Sequence, residues 1–132
     1  MKYFTIAELC RSKTADRLGI ENQCRQEHVD NLTALVDNVL DPLRQAYGTP
    51  LIVSSGYRCP ALNKALKGAA NSQHMTGQAA DIDTGNNEQN KLLFDYIRKN
   101  LPFDQLIDES CCSWIHVSYR ADGKNRGQVL KL

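Results

Sequence analysis

The segment Ser72-Gln73-His74-Met75-Thr76-Gly77-Gln78-Ala79-Ala80-Asp81-Ile82-Asp83 sets a histidine in a tight, glycine-containing loop and a carboxylate on the strand-like stretch that follows. If residues 79–83 are extended, Ala80 and Ile82 point to one face while Ala79, Asp81 and Asp83 point to the other. The apolar pair can then be buried, which leaves Asp81 presented on the loop side with His74. Gly77 and the two alanines leave room for the backbone and for a metal ion. A second histidine lies in Trp114-Ile115-His116-Val117-Ser118-Tyr119. Alternation puts Ile115, Val117 and Tyr119 on one face and Trp114, His116 and Ser118 on the other. Two imidazoles and one carboxylate make a three-ligand zinc set whose fourth position is open to water, the arrangement of a catalytic site. A lone His-x6-Asp is a weak signal, and spacing alone leaves ligation by His74 and His116 open.

The elements that must position these groups follow from periodicity. Residues 5–9 suggest a short helix with Thr5 as N-cap and Glu8 at the capping-box position. Residues 11–26 read as polar and irregular, broken at Gly19. Val29, Leu32, Val36, Val39, Leu40 and Leu43 form one apolar stripe over a helix from about Glu27 to Tyr47, closed by Gly48 and Thr49-Pro50. Pro42 is expected to kink it. The stripe supports the core, and His28 opens the helix as an exposed residue. A strand over 51–55 ends at Gly56-Tyr57-Arg58. A short helix over 60–67 starts with Pro60, and a small-residue loop runs from Gly68 to Thr76. Asn86 caps a helix over about 87–100, with Gln89 at the reciprocal position, and Asp83 is expected to cap the turn at 84–87. Segments 104–109, 113–119 and 127–132 read as strands. Helices segregated from a small, mostly antiparallel sheet make an α+β domain.

Composition bounds the function. The chain has 132 residues, 16 Lys+Arg against 15 Asp+Glu, and a formal net charge of +1. That length fits one domain over residues 1–132. Near-neutral charge, with no basic run bearing interleaved aromatics, argues against a nucleic-acid partner. No stretch has the ~18–20 continuous apolar residues of a membrane span, so no membrane insertion is expected. The opening MKYFTIAELCRSK has no apolar stretch of secretory-signal length, which points to synthesis in the cytoplasm. Cys10, Cys24, Cys59, Cys111 and Cys112 are odd in number and include no CxxC, so reduced, partly buried thiols are expected in place of a disulfide framework or a zinc-thiolate site. Cys111 and Cys112 would point to opposite faces if extended.

The string S-x-H-x-x-G-x-A-x-D followed downstream by W-x-H resembles the zinc D-Ala-D-Ala peptidases, of the wider group that also holds lysostaphin-type enzymes and the hedgehog signalling domain. SSGYR (54–58) and PALNKA (60–65) also look like that family, and NRGQVL (125–130) looks like its phage- or prophage-type members. The resemblance covers roughly Tyr3 to Leu130. It implies a hedgehog/DD-peptidase-like fold and one Zn²⁺ per chain, held by His74, Asp81 and His116. It also implies that Arg58 polarises the scissile carbonyl or stabilises the oxyanion, as a fixed positive charge with forked donors suits. The alternative for Arg58 is a structural salt bridge at a turn. Ser72 would help to hold substrate, or else cap a turn. Trp114 would be a pocket wall beside the metal, in reach of substrate.

The general base is where this sequence departs from the family. Members often place an acid three residues before the second zinc histidine, and here that residue is Ser113. Glu109 is the candidate base and Asp108 the fallback; alternation sends them to opposite faces, so at most one faces the zinc. The implied activity is zinc-dependent cleavage of peptidoglycan stem or cross-bridge peptides, by a carboxypeptidase or an endopeptidase of endolysin type. The implied partner is a peptidoglycan peptide and the expected state is a monomer; a phage-type route to the cell wall, export within a larger particle and trimming of precursors in the cytosol all fit the missing signal. The rival reading is a non-catalytic, zinc-stabilised binding module on the same scaffold.

Overall fold

The structure, a computed structural model, describes residues 1–132. Five strands form one sheet in the order β1-β2-β4-β3-β5: β1 is Ile52–Ser55, β2 Ala79–Asp83, β3 Gln105–Glu109, β4 Trp114–Ser118 and β5 Gln128–Lys131. Neighbours pair antiparallel except β3 and β5, which are parallel. The α+β expectation therefore holds, with a parallel edge that alternation alone could not foretell. No helix is long and apolar enough to cross a membrane.

Period-2 patterning decides which face of the sheet is dry. Ala80 and Ile82 of β2, Leu106 of β3, and Ile115 and Val117 of β4 enter the buried core. The expected apolar stripe meets them through Leu32, Val36, Val39, Leu40 and Leu43, with Val29 only half-buried and Leu35 an unexpected addition, and helix α6 (Asn87–Asn100) adds Leu93, Phe94 and Ile97. The opposite face is left for polar side chains, Asp81 and His116 among them.

The long helix is continuous from Gln26 to Tyr47, but its middle is not α-helical. Helix α3 (Gln26–Leu35) passes into a π turn over Val36–Leu40, and α4 (Asp41–Tyr47) follows with Pro42 near its start. Proline has no N–H to donate and its ring crowds the carbonyl four residues back. A π turn just before it widens the backbone there, so the proline sits within a continued helix. The caps expected at Thr5 and Asn86 are present: Glu8 N donates to Thr5 Oγ1 over 3.2 Å, and Gln89 N to Asn86 Oδ1 over 2.9 Å. The Asp83 carboxylate accepts from Gly85 N at 2.8 Å, which secures the turn as expected.

Three expectations are corrected. Residues 11–26 are not wholly irregular: Lys13–Leu18 form α2, capped by Ser12 and closed by Gly19 in the left-handed region. So short a helix, with only Ala15 buried, leaves no periodic signal. By folding back, this segment brings together Cys10 and Cys24, which are disulfide-bonded, with 6.9 Å between their Cα atoms. The expectation of five reduced thiols therefore fails for two of them; Cys59, Cys111 and Cys112 are free. Burial, aided by Asp108, pushes the Cys112 thiol up to about 11 and keeps it from acting as a thiolate. Cys111 and Cys112 are not extended but lie with Ser110 in the left-handed region, in the turn joining β3 to β4. Thirdly, His28 is not exposed. Its ring stacks on Tyr57 with centroids 4.4 Å apart, and its Nδ1 accepts from Arg25 N over 3.0 Å.

Candidate metal centre

Strand register builds the site. Ser55 pairs with Asp81, Asp81 with His116, and His116 with Ile107, so four strands place one row of side chains across the open face of the sheet. Residues directly opposite in antiparallel strands point to the same side. His74 reaches this row from a single 3-10 turn over Gln73–Thr76, which follows the short helix α5 (Pro60–Ala65) and leads into β2. The ligand atoms of His74, Asp81 and His116 lie within 4.8 Å of one another. Asp81 Oδ1 is 3.3 Å from His74 Nε2 and 3.1 Å from His116 Nδ1. Donors about 2.0–2.1 Å from a tetrahedral zinc are spaced by roughly 3.3 Å, so these two separations fit the edges of such a site.

The protonation pattern agrees. His74 Nδ1 lies 2.7 Å from the Gly56 carbonyl, which can only accept, so Nδ1 carries the hydrogen and Nε2 is turned to the centre. Burial would push the Asp81 carboxyl up, but the His116 and His74 rings beside it hold it well below the usual carboxylate range. Its anion is thus present throughout the neutral range. A carboxylate and two imidazole nitrogens converging in a largely buried spot form a donor set suited to zinc.

Arg58 completes the inner network. Its guanidinium donates through Nε to Ser55 Oγ at 2.9 Å, through Nη1 to Asn63 Oδ1 at 3.3 Å and through Nη2 to Asp81 Oδ2 at 3.3 Å. The salt bridge that was the alternative for Arg58 exists, and its partner is a ligand of the candidate centre. Asn63, in the PALNKA stretch, is buried and also donates to the Ala69 carbonyl over 2.9 Å, tying α5 to the loop that leads to His74. Nothing in periodicity marks that asparagine.

The loop before Arg58 is pinned from the other side. Leu9 O accepts from Tyr57 N over 2.8 Å. Asn22 donates to the carbonyls of Cys10 and Tyr57, both at 2.9 Å, and accepts from Cys59 N at 2.7 Å. The disulfide-closed segment therefore braces both flanks of Arg58. Gly56 has no space for a side chain, because a Cβ there would lie 2.1 Å from the Leu9 carbonyl oxygen. Gly56→Ala is expected to cost about 3 kcal/mol or more, since backbone must move, and a thermal melt should show a midpoint lower by about 10 °C. A melt within 2 °C of wild type would refute this packing. Gly77 is likewise confined, with a positive φ of 78° and the His28 carbonyl 2.7 Å from where a Cβ would sit. The space it leaves is taken by the start of α3, not by the metal.

A cleft of about 500 Å³ opens over the row. Its walls include all seven candidate residues: Arg58, Ser72, His74, Asp81, Glu109, Trp114 and His116. Glu109 faces it, and Asp108 does not: the Asp108 carboxylate turns away to accept from Cys112 N over 2.6 Å. The Ser72 hydroxyl caps the 3-10 turn by accepting from His74 N over 3.2 Å, while the residue also borders the cleft.

A buried carboxylate missed by sequence reasoning anchors Arg126 and Gln73, two residues that line the cleft. Asp104 accepts from Arg126 N at 2.9 Å, Arg126 Nε at 3.1 Å, Arg126 Nη2 at 2.8 Å and Gln73 Nε2 at 2.9 Å. The Arg126 hydrogen bond above all, with smaller help from Gln73, holds its carboxyl down at about 2, against the opposing effect of burial. A carboxyl lowered on folding stabilises the fold above its unfolded value of about 4, and that contribution fades as pH falls through about 2. Acid titration of stability should thus show a loss between those limits that Asp104→Asn removes. An unchanged acid limb in the variant would disprove it.

No curated protein matches the chain. The family model described as Peptidase M15 matches residues 2–118, from ahead of the first helix, α1 (Ile6–Leu9), to the last residue of β4. That stretch holds both histidines, the carboxylate between them and the arginine bound to it, and the chain belongs to the Peptidase M15 family of zinc-dependent metallopeptidases.

Proposed function

We propose that this chain, as one unit over residues 1–132, hydrolyses peptidoglycan stem or cross-bridge peptides as a monomer carrying one zinc ion held by His74, Asp81 and His116. The observation that supports this most is the convergence of those three ligand atoms in a cleft that Glu109 and Arg58 also line. Bound there, zinc supplies Lewis acidity and lowers the pKa of a coordinated water towards ~7.

The remaining steps fall to the side chains. Glu109, facing the cleft from the end of β3, takes the proton of the attacking water and delivers it to the leaving amine. Asp108 is spent on the β3–β4 turn and takes no part. Arg58 keeps a fixed positive charge against the row, where its guanidinium faces the negative charge that develops on the carbonyl oxygen. Asp81 and Asn63 hold that guanidinium in place, so it needs no reorganisation during the reaction. Trp114 walls the cleft and Ser72 borders it, and both contact the bound peptide. Release by a phage-type route would bring the chain to the cell wall.

The test is hydrolysis of purified peptidoglycan, followed by the release of free amino groups, before and after treatment with a chelator. Cleavage should vanish with the metal and return on adding one equivalent of zinc. Cleavage that persists in the metal-free chain would contradict the proposal.

A further inference from the structure

Among the charged side chains lining the cleft, Arg126 is the only one to which the proposed chemistry gives no part. It lies in the turn before β5, beyond the residues 2–118 that the family model matches. Its guanidinium is fixed: Nε and Nη2 grip the buried Asp104 carboxylate side by side at 3.1 and 2.8 Å, and its own backbone N–H adds a third bond at 2.9 Å. Gln73, next to His74 in sequence, donates to the same carboxylate at 2.9 Å. Yet the Arg126 side chain stays 53% exposed. Nη1 makes no hydrogen bond, so donors remain free on a pre-set planar fork. Arg58 contrasts with it, being 14% exposed and with Nε, Nη1 and Nη2 each committed.

The place of its anchor, Asp104, sets the scale of the distance between this charge and the ligand row. Gln105, Ile107 and Glu109 alternate along β3 as cleft-lining residues, and Ile107 pairs with His116 in the ligand row. Asp104, which holds Arg126, precedes Ile107 by three residues, on the order of 10 Å along the strand. Glu109 lies beyond the row in the other direction. An extended peptide advances ~3.3–3.6 Å per residue, so that offset spans two to three residues.

We propose that Arg126, oriented by Asp104, binds a carboxylate that the substrate carries two to three residues from the scissile bond, and that it makes the enzyme selective for peptides that present one there. This rests on the peptidase reading above. The carboxylate is either a side-chain group or the peptide's own C-terminus, and both offer the same two oxygens to the fork.

The experiment compares an acidic stem-type pentapeptide with its side-chain amide and its C-terminal amide. Turnover is measured on the wild-type zinc enzyme, and binding by calorimetry on the zinc-loaded Glu109→Gln chain. Masking the carboxylate that Arg126 reads should raise KM and Kd by about tenfold. Arg126→Gln should cause the same loss with the acidic peptide and none with that amide, the change falling in KM and not in kcat. The amide that reproduces the loss identifies which carboxylate is bound. Because Arg126→Gln strips a buried carboxylate of its partner, the double variant Asp104→Asn/Arg126→Gln serves as a folded control and should show the same lost preference. Equal binding of all three peptides by the Glu109→Gln chain, or an equal loss for all three in Arg126→Gln, would overturn the proposal. Failure of the wild type to cleave any of them would instead overturn the peptidase reading, while the binding preference still decides the role of Arg126.

Discussion

His116→Ala should abolish both zinc retention and peptide hydrolysis while leaving the chain folded. The His116 ring bonds only to Asp81, so its removal costs the centre one of three donors and orphans no buried charge. Even residues that merely support a ligand alter metal affinity or activity by about 10–100-fold, and a ligand itself should exceed that. Asp81→Ala should lose the metal as well, but with a second penalty. It strips the Arg58 guanidinium of its only carboxylate, and breaking a buried ion pair from one side costs about 3–5 kcal/mol. The two variants should therefore match in metal content and differ in melting temperature. Metal analysis alongside a thermal melt checks this; a His116→Ala chain that holds one zinc and cleaves at wild-type rate would show that the row is not the metal centre.

Glu109→Gln should keep the zinc and lose turnover by about 10²–10⁴-fold, the range that a positioned general base contributes. Glutamine preserves size and polarity at a residue that lines the cleft and has no structural bond to lose. Asp108→Asn should behave in the opposite way. That carboxylate accepts from Cys112 N, so the variant should lower stability and spare kcat. Kinetics of the pair on one peptide, with metal content measured in parallel, decide between them. A full loss of kcat in Asp108→Asn with Glu109→Gln unaffected would reverse the assignment.

Much of the centre could be read from the chain because its ligands sit on strands or one tight turn away. Alternation fixed the sides of Asp81 and His116 before their pairing was known, and the same rule separated Glu109 from Asp108. What alternation cannot supply is who stands opposite whom. The Ser55–Asp81–His116–Ile107 row and the parallel β3–β5 edge are matters of register between distant segments. Helix α2 was lost because one buried alanine makes no period, and the Cys10–Cys24 bond was lost with it. Asn22, Asn63 and Asp104 were invisible for a shared reason. Each is a polar residue satisfied by backbone or side-chain groups that only the tertiary fold brings near. Pro42 announced a disturbance in the long helix, but not that a π turn would absorb it.

The central claim is tested most directly by metal analysis of the purified wild-type chain, run beside its hydrolysis of purified peptidoglycan. A zinc peptidase of this kind should hold one zinc per chain and release new amino termini from the stem or cross-bridge peptides. Zinc bound at one per chain with no cleavage of any of these peptides would contradict it, and would mark the centre as a metal-stabilised recognition site.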